Sequence, residues 1–262
     1  VPLLANSHYI RQGPDYRFGE QQSFLDVRDT FGFAATRVGR WVSDAESAIA
    51  ANLVFDSLAD LAFIVNVPPI TLGLRQSLNL DFGIGGRKGV QAHYAPGSRT
   101  LALAKNAGAG ALAHEFWHAL DHHLALVAFK SSAVIPAISF ASELWLQELP
   151  LKSHPLNQAL AALFRLVLLN ADGSDASRYV SRAIALDKTQ GVYYFSQPTE
   201  LMARAFESAI EHCASVRNQY LVSGTRTGAA YARGVYPDDT DLPQIFEAMR
   251  EYFSLLGHML AQ

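Results

Sequence analysis

The stretch ALAHEFWHALDHHLALVAF, residues 111–129, decides the reading of this chain. It holds helix formers throughout and neither glycine nor proline, so it predicts one buried helix of about five turns. His114 and His118 stand at i and i+4, one above the other on the same helical face, where both imidazoles can reach one metal ion. Glu115 is one step round the helix. It cannot share their ligand position, but it can lean toward a water in an open coordination site, the place of a general base. Two ionisable histidines bracketing a glutamate inside an apolar helix would be costly without a metal, so the pattern points to zinc. His122 lies two turns beyond His114 on nearly the same face, and with His123 it reads as a helix-end residue.

Two histidines do not complete a catalytic zinc site, which normally has three protein ligands. Downstream, Ser196-Gln197-Pro198-Thr199-Glu200 opens a second helix with Pro198 in its first turn. Glu200, Arg204 and Glu207 repeat along one stripe of it, which makes Glu200 and Glu207 the candidate third ligands. Asp121 is near in sequence but continues the first helix only three residues after His118 and cannot wrap round the metal. A bond to a ligand from behind, or a surface or cap contact, are its two readings.

Working outward, the chain has 262 residues, half of them hydrophobic and 17% charged, enough for one large domain or a core domain with a helical subdomain. That composition excludes disorder and low-complexity classes. A net charge of -3 and the absence of any Lys/Arg block disfavour nucleic acid as the main partner. The single cysteine, Cys213, cannot form an internal disulfide and reads as a small thiol buried in a helical pattern. No apolar run reads as long enough for a membrane span, since Lys130 ends one and Arg165 interrupts another. The opening VPLLANSHYIRQG has no basic stretch followed by an apolar one, which makes a bacterial cytoplasmic location the expectation.

Residues 1–30 read as polar and irregular until Phe24, and Ser43 with Glu46 forms a capping box for an amphipathic helix to about Ala62. Pro68 and Pro69 close it. ITLGL, SLNLDFGI, VQAHYA and RTLALA then read as short extended runs, a small sheet between residues 70 and 104. The run from Thr100 to Ala104 precedes the histidine helix across a break at Gly108 and Gly110, and an edge strand beside such a helix can pair with an extended peptide. Five more helical patterns follow, near 138–150, 155–170, 174–188, 199–218 and 242–260. The expected fold is α+β: a small twisted sheet packed on the histidine helix within residues 1–130, and a helical subdomain over 131–262 supplying the third ligand and closing the cleft.

GAGALAHEFWHALD, with AHYAPGSRTLALAKN before it and QPTELMARAFESAI far downstream, resembles the bacterial CLCA_X family and the related large polyvalent-protein-associated domain of mobile elements. FDSLADL at 55–61, LNLDFGIGG at 78–86 and GRW at 39–41 extend the resemblance from about Phe24 to about Phe253. It implies a zincin-like metallopeptidase whose ligands are His114 and His118, whose base is Glu115, and whose downstream acidic helix carries Glu200 and Glu207. It implies no substrate, and the chloride-channel association of the name carries no weight here. The separation of 82 positions from His118 to Glu200 is long for a glutamate zincin and suggests a lobe between them.

The activity expected is hydrolysis of a peptide bond in a peptide or protein substrate, with zinc as cofactor and Glu115 handling the water's proton. Tyr194, with Tyr193, is the candidate for stabilising the oxyanion. Glu200 is the favoured ligand because it stands in the first turn of its helix and has a small residue, Ala203, where the metal helix approaches. Glu207 then serves as an outer acceptor for a ligand histidine N–H or for Arg204. The alternative function is a non-catalytic, zinc-stapled protein-binding module of a mobile-element or conjugation-related complex. Against it stand the intact Glu115 and the lack of thiolates for a closed structural site.

Overall fold

The computed structural model describes residues 9–85, 89–105, 109–130 and 135–260; Gly86, Asn106 and Gly108, which the sequence reading uses, lie outside the described residues. A two-residue strand, β1 (Arg11–Gln12), is followed by α1 (Phe24–Phe31), which starts where the irregular reading of the sequence ends. Its capping box uses an aspartate: Ser23 accepts from the Asp26 N–H and Asp26 accepts from the Ser23 N–H. β2 (Ala35–Val38), unforeseen, leads to α2 (Asp44–Val65), whose Ser43/Glu46 box is formed and which ends on Asn66 in the left-handed region.

α2 is not the amphipathic helix expected. Every residue from Val54 to Ala62 is buried, so the helix runs through the interior with core on all sides. Among the described residues it is also the one helix long and apolar enough to cross a membrane, with 72% of that window buried inside the protein. Asp56 and Asp60 interrupt its apolar run. Both are neutralised by the amino-terminal segment: Arg17 Nε donates to Asp56 at 2.9 Å, while Arg11 bonds both oxygens of Asp60 at 2.8 Å.

A 3₁₀ turn occupies Pro69–Gly73, where the sequence suggested a strand. Proline at its start removes a donor and fixes φ, which suits a turn better than a ladder. β3 (Asn79–Phe82), β4 (Ala92–Ala95) and β5 (Thr100–Leu103) follow, and the four-stranded sheet has the order β2-β3-β5-β4. β2, β3 and β5 are parallel, and β4 pairs antiparallel with β5 in the register His93 opposite Ala102. The strand preceding the histidine helix is therefore interior, all four of its residues buried, and the two edges are β2 and β4. That corrects the expectation that Thr100 to Ala104 would offer the open edge.

The histidine helix α3 (Leu112–Val127) packs on β4 and β5. Gly110 makes the entry: its φ is +102°, and a Cβ there would meet Ser223 Oγ at 2.2 Å. α4 (Ala141–Leu146), α5 (Pro155–Leu168), α6 (Arg178–Gln190) and α7 (Pro198–His212) follow. β6 (Arg217–Asn218) pairs with β1, and α8 (Gly228–Ala232) and α9 (Leu242–Leu260) end the described chain. The described residues thus form a mixed α and β structure of nine α-helices and two small sheets. α7 lies against α3, α4, α5 and α9, and one apolar cluster runs from Phe24 to Phe253, drawing on both halves of the chain. Cys213 ends α7 half-buried, its Sγ 3.3 Å from Ser215 Oγ, rather than lying within a helix.

Asp60 joins three separate segments, because Asn218 Nδ2 also donates to it at 2.8 Å, and its side chain is fully buried. Asp60→Ala would leave Arg11 and Asn218 without their acceptor. The expected cost is about 3–5 kcal/mol of unfolding free energy, read as a lower urea midpoint at unchanged slope; a loss below about 1 kcal/mol would show the tie to be dispensable.

Candidate metal centre

α3 brings His114 and His118 to one face with their Nε2 atoms 3.1 Å apart. α7 crosses that face and presents Glu200, whose Oε1 lies 3.4 Å from His118 Nε2 and whose Oε2 lies 3.6 Å from His114 Nε2. These three residues form a group able to hold a metal ion, each partly buried. Glu207, about two turns further along α7, does not join the group. Its Oε1 accepts a hydrogen bond from His114 Nδ1 at 3.0 Å. With the proton on Nδ1, the Nε2 lone pair is left facing His118 and Glu200.

Arg204 lies between the two glutamates on the stripe and donates to Glu200 Oε2 at 2.7 Å and to the Phe195 carbonyl at 3.0 Å. Its guanidinium also covers the Tyr194 ring, 4.9 Å from the centroid. The loop before α7 is held by a residue the sequence reading did not single out. Asp187, near the end of α6, accepts from the Phe195 and Ser196 N–H groups at 2.8 Å and from the Tyr194 N–H at 3.2 Å. Burial opposes its charge, but these donors and the Ser196 hydroxyl hold its carboxyl below the usual range. The Tyr194 backbone is thereby fixed and its ring lies beside Glu200, while Tyr193 is 69% exposed.

Glu115 sits on the sheet side of the histidines. Its Oε2 accepts from the backbone N–H of Tyr94 in edge strand β4, at 2.7 Å. The Tyr94 side chain continues the connection: its hydroxyl meets His122 Nδ1 at 2.6 Å, and His122 Nε2 donates to the Ala137 carbonyl at 2.8 Å. A carbonyl only accepts, so the His122 proton is on Nε2 and the tyrosine hydroxyl is the donor to Nδ1. His122 is buried, and the helix runs on to Val127, so it is not the helix-end residue expected. It ties the edge strand and the segment before α4 to the histidine helix. Phe140, from that segment, stacks toward both His118 and His122, at 6.4 and 5.6 Å between ring centroids.

The charges at the centre are opposed. Burial raises the Glu115 carboxyl, with His114, His118 and the Tyr94 N–H pulling the other way. Glu200 is also buried, yet the two imidazoles hold it well below the usual carboxylate range. Burial disfavours a charged His114, but Glu207 and Glu200 outweigh it and raise its pKa. Asp121 is elsewhere. Fully buried, it accepts from the Ser142 N–H at 2.8 Å and the Ser142 hydroxyl at 2.6 Å, fastening α3 to the first turn of α4. Among the described residues it makes no hydrogen bond to His114 or His118; of the two roles the sequence offers, it fills the cap contact, at the start of α4.

With this geometry in place, comparison with known proteins gives one family match. Residues 186–260 match the family described as Large polyvalent protein-associated domain 1. The matched segment contains Glu200, Arg204 and Glu207 on α7 but not the histidine helix, and it spans only the last part of the resemblance read from Phe24 to Phe253. Comparison with curated proteins and with solved structures gives no match.

Asp121 yields a pH test. Burial pushes its pKa up to about 6 from 3.8, although both Ser142 donors favour the carboxylate. A raised carboxyl pKa means the folded state holds the proton more tightly. The associated stability is full below the ordinary value and is lost as the pH rises through about 6. Asp121→Asn keeps an acceptor for the Ser142 N–H and removes the titration. Urea denaturation from pH 4 to pH 7 is expected to show a decline of about 3 kcal/mol in the parent that is absent in the variant; parallel profiles would refute it.

Proposed function

We propose that this chain is a zinc-dependent metallopeptidase with a zincin-like arrangement of sheet, histidine helix and glutamate helix. One observation carries the reading: two imidazole nitrogens and a carboxylate from separate helices converge, with a second carboxylate, Glu115, alongside them. The separations fit the ion. Ligand atoms about 2.0–2.1 Å from a tetrahedral zinc stand about 3.3 Å from one another. The observed distances are 3.1, 3.4 and 3.6 Å. The nitrogen and oxygen donor set is that of a catalytic site with an open fourth position.

His114, His118 and Glu200 would hold the ion, and when bound it supplies a Lewis acid and acidifies its water. The remaining work belongs to the protein. Glu115 Oε2 is held by Tyr94, which leaves the other oxygen to take a proton from the attacking water and return it to the leaving amine. Glu207 keeps His114 in the Nδ1–H tautomer, and Arg204 orients Glu200. Tyr194, anchored by Asp187 and covered by Arg204, is the candidate to stabilise the oxyanion. The substrate is an extended peptide or protein segment lying along the free edge of β4. The rival reading, a non-catalytic zinc-stapled binding module, draws on the family match over residues 186–260. An intact Glu115 placed against the edge strand weighs against it.

Protein purified without added metal or an affinity tag is expected to contain about one zinc per chain by elemental analysis. A metal-free protein whose fold is indifferent to chelation would sink the proposal. Glu115→Gln should keep zinc and fold but lose hydrolysis of a labelled casein, and unchanged turnover would favour the binding-module reading. Zinc affinity separates the two glutamates of α7. Glu200→Ala removes a ligand, whereas Glu207→Ala removes only the outer acceptor and should weaken binding roughly 10 to 100-fold. Loss of zinc from Glu207→Ala alone would reverse the assignment.

A further inference from the structure

The face of α3 turned away from His114 and His118 lines a cavity of about 740 Å³. Leu120, Leu124 and Val127 of α3 form one wall, Leu256 and Met259 of α9 another, and Leu156 of α5 closes a third side. That volume lies within the range of small-molecule sites, which are typically apolar with a few placed polar groups. The polar groups here have one sign. None of the lining residues is Asp or Glu, although the chain as a whole carries more acids than bases. Arg75 and Lys152 stand at the cavity, and α5 begins there, adding the positive end of its dipole.

Arg75 reaches this place through unusual backbone. Leu74, Arg75 and Gln76 are consecutive non-glycine residues with φ of 51°, 58° and 57°, a left-handed run that side chains disfavour. Such residues persist where the surrounding structure holds them, and they gather at ligand clamps among other functional sites. Arg75 has no carboxylate or hydrogen-bond partner among the described residues, and Lys152 uses its ammonium on the Val127 carbonyl at 2.7 Å. His123, also on the wall, contacts Ser77 Oγ at 3.3 Å. Burial and the nearby Arg99 and Arg75 push its pKa down to about 4, so it is a neutral polar group at physiological pH. Two further lining residues, Thr71 and Tyr252, have buried hydroxyls with no hydrogen-bond partner among the described residues.

We propose that this cavity is a binding site for a small anionic amphiphile, an organic carboxylate whose apolar chain lies among the leucines while its head group is met by Arg75 and Lys152. The site is independent of the metallopeptidase reading, since it uses the opposite face of α3. A protein without zinc or hydrolytic activity would bind the ligand equally well.

Calorimetric titration on the full chain tests it, with decanoate as probe and decyltrimethylammonium as a control of the same chain length and opposite charge, both below their micelle concentrations. Saturable one-to-one binding of decanoate is expected, with the cation at least about tenfold weaker and the decanoate affinity falling with added salt. Arg75→Glu should weaken decanoate by about tenfold or more. Val127→Trp should block it; Val127 is 42% exposed, so the larger ring can be accommodated without opening the core, and circular dichroism checks the fold. Equal binding of both amphiphiles, no saturable binding, or decanoate affinity untouched by Val127→Trp would each overturn the proposal.

Discussion

The contact between His114 and Glu207 is the constraint on which the rest of this structure depends. It places an imidazole and a carboxylate, both largely out of water, 3.0 Å apart on two different helices. Separating them would strand a polar group in an apolar interior, so α3 and α7 are held in one register. Small residues allow the approach: Ala113 and Ala119 on α3, and Ala203 and Ala209 on α7, are fully buried. Trp117 and Phe206 fill the remaining space with ring centroids 5.1 Å apart. Once that register is set, Glu200 sits about two turns nearer the start of α7 than Glu207, and its carboxylate faces the two Nε2 atoms without further adjustment.

The parts of this arrangement that were legible in the sequence are those carried by side-chain type at helical spacing. His114, Glu115 and His118 identify their own face, and Glu200, Arg204 and Glu207 lie on one stripe whose two acids could be told apart by depth along the helix. Other essential groups left no such mark. Tyr94 holds Glu115 through a backbone N–H, which nearly every residue possesses, and only the pairing of β4 with β5 turns that N–H outward. Asp187 acts on three successive amides of a loop after its own helix, a role that depends on where the chain folds back rather than on a motif. Asp121 is close to His118 in sequence, but its place round the helix turns it toward Ser142, which nothing local foretells.

The fold shows the same division. The capping box at Ser43 and the proline start of α7 are local signals, and both helices begin there. β2 is only four residues, Ala-Thr-Arg-Val, half-exposed and half-buried in alternation, and it becomes a strand because β3 lies parallel to it. A parallel partner 44 positions away leaves no local trace. The confusion of edge with centre has a physical reading too. Leu101, Ala102 and Leu103 are a continuous apolar run, the composition of a strand covered on both faces, whereas Ala-His-Tyr-Ala in β4 mixes polar and apolar residues as an edge must.

α3 has to serve two environments with one backbone. One face carries ionisable groups toward α7 and β4, and the other carries leucines toward α9 and the 3₁₀ turn. No side chain caps its start; instead the Ala113 N–H bonds the Leu221 carbonyl at 3.1 Å, and the far end is met by Lys152 at the Val127 carbonyl. Both anchors come from distant parts of the chain, so the helix cannot slide along its axis without breaking them. A shift of one residue would rotate the face by about 100° and carry both histidines away from Glu200. The precision of the candidate centre therefore rests on contacts at the two ends of α3, one beside His114 and the other two turns and more beyond His118.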